Sequence, residues 1–151
     1  MEAVFLTTPE LLQEFSARVL HTLHSAGADA VCDDFTADDL LRLAHEGRVV
    51  IGVFLDDGGA VAMVMVLEFV PYPRRMVLNV VLMAGKGVRK FCRRAWEPLV
   101  QYAKAAGADA IVATGRPAIA RVLARFTGLR DVSRVLQFEL KGDGNGQTAK
   151  A

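Results

Sequence analysis

A predicted strand, a short glycine-bearing loop and a long predicted helix succeed one another in the second half of the chain, and this succession constrains the fold most. Residues 75–83 form a nearly continuous apolar run, which predicts a strand buried on both faces. After the loop at residues 84–87, apolar residues recur at helical spacing over residues 88–106, and Gly107 ends the predicted helix. Residues 109–114 predict another strand. Strands and helices that alternate in this way are typical of an α/β domain.

The remaining segments complete this α/β fold class, with a mixed, mainly antiparallel sheet flanked by helices. We predict one domain over residues 1–141 and a flexible polar tail over residues 142–151. Thr36 and Asp39 are predicted to form a capping box at the start of the second helix. The Pro71-Tyr72-Pro73 sequence is expected to break the third strand, since proline cannot donate a hydrogen bond to a neighbouring strand. The predicted order is strand 2–6, helix 9–25, a helix between Thr36 and Gly47, strands 48–55, 60–70 and 75–83, helix 88–106, strand 109–114, helix 118–126 and strand 130–141.

The composition excludes several classes of protein. Of the 151 residues, 52% are hydrophobic and 23% are charged, so the chain can bury a core and is not a disordered protein. No apolar run reaches the length of about 18 residues that a transmembrane helix needs. The first eight residues lack the basic and long apolar regions of a signal peptide, so we expect none.

The cysteine and histidine residues predict neither a disulfide framework nor a metal site. Cys32 and Cys92 are too few for a disulfide framework or for a four-ligand zinc site. His21 and His24 share one helix face, but the sequence offers them no third ligand. We therefore expect no metal and a reducing, cytoplasmic location.

Charge is distributed unevenly along the chain. Residues 1–46 carry nine acids and two bases, whereas residues 47–151 carry sixteen bases and eight acids. Cations at a helix start oppose the helix dipole, so a basic cluster there predicts an anionic ligand or an acidic partner; the alternative is a solvated face that offsets the acidic N-terminal part. Nucleic acid is the weaker prediction, because aromatic residues do not interleave with the bases. Five bases cluster within nine positions at the start of the long helix: Lys86, Arg89, Lys90, Arg93 and Arg94.

The order of the predicted elements resembles that of the GNAT superfamily of acyl-CoA N-acyltransferases. The likeness is carried by strand 76–83, its loop, helix 88–106 and residues 107–112. Residues 120–129 resemble the family's Ala-x-x-x-Tyr-x-x-x-Gly-Phe element, and the likeness covers nearly the whole chain. The Gly115-Arg116-Pro117 turn is similar to that of GNAT-like proteins of tailed bacteriophages, some of which are virion-associated or assembly proteins.

The resemblance implies a site for the CoA pyrophosphate at the loop and the helix start that follows it. Free N–H groups at a helix N-terminus bind anions, and glycines allow the backbone to approach them closely. Counted back from Ala103, the two glycines that the family carries in this helix fall near Lys90 and Cys92, so we expect a degenerate site. The candidate cofactor-binding residues are Val80, Leu82, Gly85, Lys86, Gly87, Val88, Arg89 and Lys90.

The resemblance also implies a general base and, in many members, a tyrosine that protonates the leaving thiolate. Ala124 occupies the position of that tyrosine. Glu68, on the third predicted strand, and Tyr72, in the loop after it, are the remaining catalytic candidates. Both also fit ordinary exposed positions at a strand end.

Two functions of different classes follow from these patterns. The first is a GNAT-like domain that requires no cofactor and binds other protein subunits, such as those of a phage virion or its assembly. The alternative is an active N-acetyltransferase that uses acetyl-CoA and an amine acceptor. A third hypothesis is a phage-encoded inhibitor of a host factor. We expect the cytoplasm of a bacterial host or a phage particle as the location, and no membrane contact.

Overall fold

Five strands form one mixed sheet in which the spatial order of the strands equals their order in the chain. The structure is a computed structural model that describes residues 1–25, 34–115, 117–133 and 135–141. The elements in these ranges are β1 Glu2–Phe5, α1 Pro9–Ser25, α2 Ala37–His45, β2 Val50–Leu55, β3 Val61–Tyr72, β4 Arg75–Ala84, α3 Val88–Ala105, β5 Ala110–Ala113 and α4 Pro117–Thr127. β1 to β4 pair as antiparallel neighbours, and β4 pairs with β5 in parallel. The predicted α/β class with a mixed, mainly antiparallel sheet is confirmed.

The sheet separates two hydrophobic cores. Successive strand residues point to opposite faces, and in β3 Val64 and Val66 lie in one core whereas Met63 and Met65 lie in the other. The first core is covered by α1 and α2, and the second by α3. The buried side chains of the helices are Leu12, Phe15, Val19 and Leu23 in α1, Leu40 and Ala44 in α2, and Ala95, Leu99 and Ala103 in α3.

Local signals in the sequence place the second helix correctly. The Thr36 hydroxyl accepts a hydrogen bond of 3.1 Å from the Asp39 N–H, and the Asp39 carboxylate accepts one of 3.0 Å from the Thr36 N–H. This reciprocal pair is the predicted capping box, and it satisfies two N–H groups that have no partner inside the helix. The helix ends at His45, and Gly47 follows with a φ of 74°.

The prediction that Pro71-Tyr72-Pro73 breaks the third strand is wrong. β3 continues to Tyr72, which pairs with Arg75, and Pro71 pairs with Met76. The Met76 N–H donates to the Asp109 carboxylate at 2.8 Å, and its carbonyl accepts from the Asp109 N–H at 2.7 Å. The backbone groups of this residue pair therefore point outward from the β3–β4 ladder, and the missing N–H of Pro71 removes no hydrogen bond from it.

The predicted final strand over residues 130–141 is also not formed in the described part of that range. Residues 130–133 and 135–141 belong to no strand, and all of these residues are exposed. A strand pattern becomes a strand only when a neighbouring strand pairs with it, and within the described residues β5 pairs only with β4. The predicted tail over residues 142–151 lies outside the described residues. Among the described helices, none is long and apolar enough to cross a membrane.

Replacement of Asp39 by asparagine tests the capping box through its pH dependence. Hydrogen bonds from the Thr36 backbone and side chain lower the pKa of Asp39 below its ordinary 3.8, and the Arg42 charge acts in the same direction. A carboxylate whose pKa is lowered on folding stabilises the protein above its unfolded-state pKa, and this contribution is lost as the pH falls through the folded-state pKa. We expect Asp39→Asn to lower the urea midpoint at neutral pH, and its difference from the wild type to shrink below about pH 4.

Asp38 provides the control for this experiment. It lies in the same first turn, and in the described part of the chain it forms no hydrogen bond or ion pair. Asp38→Asn should therefore lower the urea midpoint at neutral pH by less than Asp39→Asn does. If Asp39→Asn lowered the urea midpoint equally at neutral and acidic pH, the result would contradict a stabilising role of the Asp39 carboxylate in the capping box.

Candidate functional site

β4 and β5 pair over four residues of each strand. The parallel ladder joins Val77–Val80 to Ala110–Ala113, where β5 ends. β4 continues for four more residues to Ala84 and keeps its pairing with β3. The outer edge of β4 beyond Val80 therefore borders an opening in the sheet.

A β-bulge lies in β4 where the opening begins. Val80 pairs with Leu67 and Leu82 pairs with Val66, so Val81 is an extra residue without a counterpart on β3. A bulge bends its strand and reverses which side chains point to which face. The bulge thus lies at the place where the ladder between β4 and β5 stops.

Apolar side chains of the chain itself fill the crevice at the end of the β4–β5 ladder. The cavity that they line has a volume of about 20 Å³, which is room for about one water molecule. Among the described residues, no carboxylate, imidazole or hydroxyl group lines it. The lining residues are Met65, Val80 and Met83, Ile111 and Ala113, Cys92, Trp96 and Leu99 of α3, and Leu123 and Leu129.

The glycine-bearing loop packs directly against the start of β3. The Gly87 N–H donates to the Ala62 carbonyl at 2.9 Å. A Cβ atom on Gly87 would lie 2.8 Å from that oxygen and 2.6 Å from the Phe91 ring. At Gly85, where φ is 132°, a Cβ atom would lie 2.5 Å from the same oxygen and 2.9 Å from the Met63 Cα. Both glycines are therefore required by contacts within the protein.

The predicted cofactor-binding residues are divided between the core and the surface. Val80 lines the crevice, Val88 packs on the same core, and Leu82 packs on the opposite core. The other candidates lie in or beside the loop: Gly85 and Gly87 against β3, and Lys86, Arg89 and Lys90 exposed to solvent. Within the described chain, the backbone N–H groups of Arg89 and Lys90 have no hydrogen-bond acceptor. Free N–H donors and positive side chains therefore coincide at the start of α3.

The five bases at the start of α3 form an exposed surface, which we name the basic face: Lys86, Arg89, Lys90, Arg93 and Arg94. Among the described residues, none of the five forms a salt bridge. Asp57, at the β2–β3 turn, accepts a hydrogen bond of 3.1 Å from the Met1 ammonium. That bond and the ammonium charge lower the pKa of Asp57, and the charges of Arg94 and Lys90 lower it further. The turn and the basic face are therefore close enough to interact electrostatically.

The catalytic candidates do not lie in the crevice. Glu68 is half-buried on the same sheet face as Val66, whereas the crevice lies on the face of Met65. Its neighbour across the β3–β4 ladder is Asn79, whose side-chain oxygen is buried without a partner among the described atoms. Tyr72 is 57% exposed at the β3–β4 turn. The structure therefore places Glu68 and Tyr72 outside the crevice, and of the predicted cofactor-binding residues Leu82 lies on the sheet face of Glu68.

Solved structures of acetyltransferases have the same fold. A ribosomal-protein-alanine N-acetyltransferase from Brucella melitensis is 17% identical, with a TM-score of 0.65 over 91% of this chain and 100% of its own. An aminoglycoside acetyltransferase from an uncultured soil metagenomic sample is 11% identical, with a TM-score of 0.68 over 93% of this chain and 95% of its own. A glucosamine-6-phosphate N-acetyltransferase from Arabidopsis thaliana is 12% identical, with a TM-score of 0.63 over 93% of this chain and 100% of its own. This chain has the GNAT fold.

The likeness to GNAT proteins extends to the fold and no further. No protein-family model matches the sequence, and no curated protein matches it significantly. The GNAT fold predicted from the sequence is confirmed. The similarity to bacteriophage GNAT-like proteins is not supported by these structures and stays a prediction.

The structure shows where three residues lie at which this sequence departs from the pattern of the GNAT superfamily. Lys90, where the resemblance places a glycine, is exposed in the first turn of α3, with its ammonium 5.1 Å from the centre of the Phe91 ring. Cys92, where it places another, is buried and lines the crevice. Ala124, where it places a tyrosine, is exposed on α4. The sequence did not indicate that Trp96 and Leu99 would fill the crevice beside Cys92, because helical spacing identifies an apolar face without naming what it covers.

The described residues contain no group of three or more histidine, cysteine, aspartate or glutamate side chains that could hold a metal ion. His21 donates to or accepts from the Ser25 hydroxyl at 3.5 Å. The candidate site therefore consists of the filled crevice, the loop and the basic face.

Replacement of Gly85 by alanine tests the role of the loop in packing. Its Cβ atom would overlap the Ala62 carbonyl, and φ at this position is 132°. We expect a loss of about 2–4 kcal/mol in the free energy of unfolding, measured by urea denaturation. Gly47→Ala is the matched control, because φ there is 74° but nothing lies within 4 Å. Gly47→Ala should lower the free energy of unfolding by about 1 kcal/mol. Equal decreases for the two variants would contradict a steric role for Gly85.

Proposed function

We propose that this chain is a non-catalytic protein with the GNAT fold, whose acyl-CoA site is degenerate and which acts by binding other proteins. The observation that carries the proposal is the filled crevice. An acyl-pantetheine chain is an extended group of many atoms, whereas the cavity beside Val80 and Ala113 holds about one water molecule. Cys92, Trp96 and Leu99 occupy the rest of the space.

The loop supports the same proposal. The two glycines that would suit a phosphate-binding loop are already required by the contacts with Ala62. Further along, Lys90 and Cys92 stand where the resemblance places glycines. The Lys90 side chain occupies space next to the helix N-terminus, where a phosphate would have to bind, although its positive charge attracts anions.

The catalytic candidates provide a third line of support. Glu68 and Tyr72 lie outside the crevice, and among the described residues no carboxylate, imidazole or hydroxyl group lines it. General acid–base catalysis needs a titratable group within hydrogen-bond distance of the reacting atoms. A degenerate site requires no such titratable group, and the proposed function requires no cofactor.

The basic face provides the surface for a partner. Its five bases have no salt-bridge partner within the described chain, and bases at a helix start destabilise the helix slightly. An acidic protein surface would neutralise them. We assign this role to another subunit, and the similarity to bacteriophage proteins suggests a virion or assembly component in the host cytoplasm or in the phage particle. Nucleic acid remains the weaker candidate, because exposed aromatic residues do not accompany these bases.

An active N-acetyltransferase is the alternative, and one observation favours it. The free N–H groups of Arg89 and Lys90, surrounded by bases, could hold a pyrophosphate. The similar structures are acetyltransferases of a ribosomal-protein alanine, of aminoglycosides and of glucosamine 6-phosphate, which makes an amine the acceptor in this alternative. Acetyl-CoA would then be the acyl donor.

Calorimetric titration with acetyl-CoA and with CoA distinguishes the two functions. We expect no saturable heat up to ligand concentrations of about 1 mM at low salt, because the crevice has no room for the pantetheine chain. Micromolar binding would contradict the degenerate site, provided that Arg89→Glu weakens it. The control is Lys104→Glu, at the opposite end of α3, about 22 Å away along the helix axis. It should leave any specific binding unchanged.

Binding of an acidic polypeptide tests the basic face. With poly-L-glutamate as the probe, we expect Lys90→Glu combined with Arg94→Glu to weaken binding by about tenfold at low salt, because each reversal turns attraction into repulsion. Lys104→Glu is again the control and should change binding by less than about twofold. Fluorescence anisotropy of the labelled probe gives the affinity. If the double variant and Lys104→Glu weakened the affinity for poly-L-glutamate equally, the attraction would be non-specific. That result would contradict the assignment of the basic face as the partner surface.

A further inference from the structure

Exposed charges of opposite sign lie on helices that cover opposite faces of the sheet. α1 covers the first core and carries Glu10 and Glu14, both exposed, whereas α3 covers the second core and carries the basic face. Within the described chain, neither glutamate forms an ion pair, and neither does any base of the basic face. The sheet therefore stands between two unpaired surfaces of opposite charge.

These two surfaces cannot neutralise each other within one copy. α1 begins after Phe5, which pairs with Gly52 near the start of β2, whereas α3 begins after Gly87, which bonds to the start of β3 at the other end of the sheet. The two helix layers alone separate the surfaces by roughly 20 Å, and physiological salt screens exposed charges beyond about 8 Å. Asp57, which lies near the basic face, is already bound by the Met1 ammonium. The acid that pairs with the basic face therefore comes from another molecule.

The charge of the whole chain favours a second copy as that molecule. The formal net charge is +1, because the excess of acids in residues 1–46 nearly offsets the excess of bases in residues 47–151. A net charge near zero promotes association between copies of a protein. Each copy therefore presents to its neighbours the electrostatic complement of its own basic face.

The spacing of the charges also fits contact between two copies. Glu10 and Glu14, which we name the acidic pair, lie four residues apart on α1. Arg89 and Arg93, which we name the basic pair, lie four residues apart on α3. Residues at this spacing share one side of a helix and are about 6 Å apart along its axis. Two such helices that lie side by side therefore bring both acids opposite both bases.

We propose that the acidic pair of one copy docks on the basic pair of a second copy, an inference that rests on the proposed function of the basic face. Because the two surfaces lie on opposite sides of the sheet, the contact is head-to-tail. Two copies joined in this way leave one acidic pair and one basic pair free. Assembly therefore continues beyond the dimer, into a ring or an open chain.

Sedimentation velocity of the full chain tests whether copies associate through charge. Exposed ion pairs are individually weak, so the experiment needs a high protein concentration. At about 0.5 mM protein and low salt, we expect the weight-average sedimentation coefficient to exceed that of a dimer. At about 0.5 M salt, the association should be at least about fivefold weaker, because the charges are screened.

Paired charge reversals test which surfaces meet. Glu10→Lys with Glu14→Lys should weaken self-association at least about tenfold, because it places like charges opposite each other. Arg89→Glu with Arg93→Glu should do the same for the same reason. An equal mixture of the two variants should regain association, since the unaltered basic pair of the first meets the unaltered acidic pair of the second. This recovery also shows that both variants are folded.

Arg74→Glu with Lys104→Glu is the matched control. It changes the formal charge by the same amount as the reversal of the basic pair, and both residues are exposed. Arg74 lies in the β3–β4 turn and Lys104 in the last turn of α3, at the end of the sheet away from the basic face. The control should associate as the wild type does. An equal loss in the control would mean that net charge alone decides association, and it would overturn the proposal.

Two further outcomes would also overturn the proposal: a wild type that stays monomeric under the low-salt conditions, and a mixture that associates no better than its separate variants. Titration with poly-L-glutamate then separates this proposal from the proposed function. Binding at the basic face would leave the proposed function with an acidic partner other than this chain. Absence of binding would contradict the proposed function as well.

Discussion

The end of the β4–β5 ladder at Val80 is the constraint on which the rest of the structure depends. A parallel neighbour forces the chain to cross the sheet through α3, and the bulge at Val81 bends β4 where their ladder ends. The part of β4 beyond this point and the end of β5 would expose apolar side chains and backbone groups unless another element covered them. In this chain α3 covers them with Cys92, Trp96 and Leu99. The element that the parallel connection requires therefore also fills the crevice that the connection creates.

Glycines in the loop before α3 have a structural purpose that is independent of any ligand. The carbonyl of Ala62 approaches so closely that a Cβ atom at Gly85 or Gly87 would overlap it. Such glycines remain necessary for folding even when the site binds no phosphate. Inside the helix, where the backbone is regular and no such contact exists, Lys90 and Cys92 occupy the positions that the resemblance assigns to glycine. The chain thus keeps the glycines that its own packing requires, at Gly85 and Gly87, and lacks those that the resemblance expects for a cofactor, at Lys90 and Cys92.

Local patterns predicted most of the fold, whereas features that depend on distant neighbours were missed. The helical spacing of α1 and the Thr36–Asp39 capping box are properties of a few adjacent residues, and the structure contains both. Pro71 was misinterpreted because its effect depends on whether its backbone points toward β4, which only the pairing of Met76 with Asp109 decides. The strand pattern at residues 136–141 is present, but a pattern cannot supply the edge it pairs with. The same limit applies to Trp96, whose apolar character was evident and whose place in the crevice was not.

Leu129 connects the crevice to the segment that follows α4. This residue lines the crevice, and the residues after it expose large apolar side chains. Contacts that hold Leu129 in place would stabilise the packing of the crevice. The basic face acts differently, since exposed charges guide association at long range while buried apolar area holds a complex together. A protein that binds partners would use both, and neither requires the chemistry that the GNAT fold performs elsewhere.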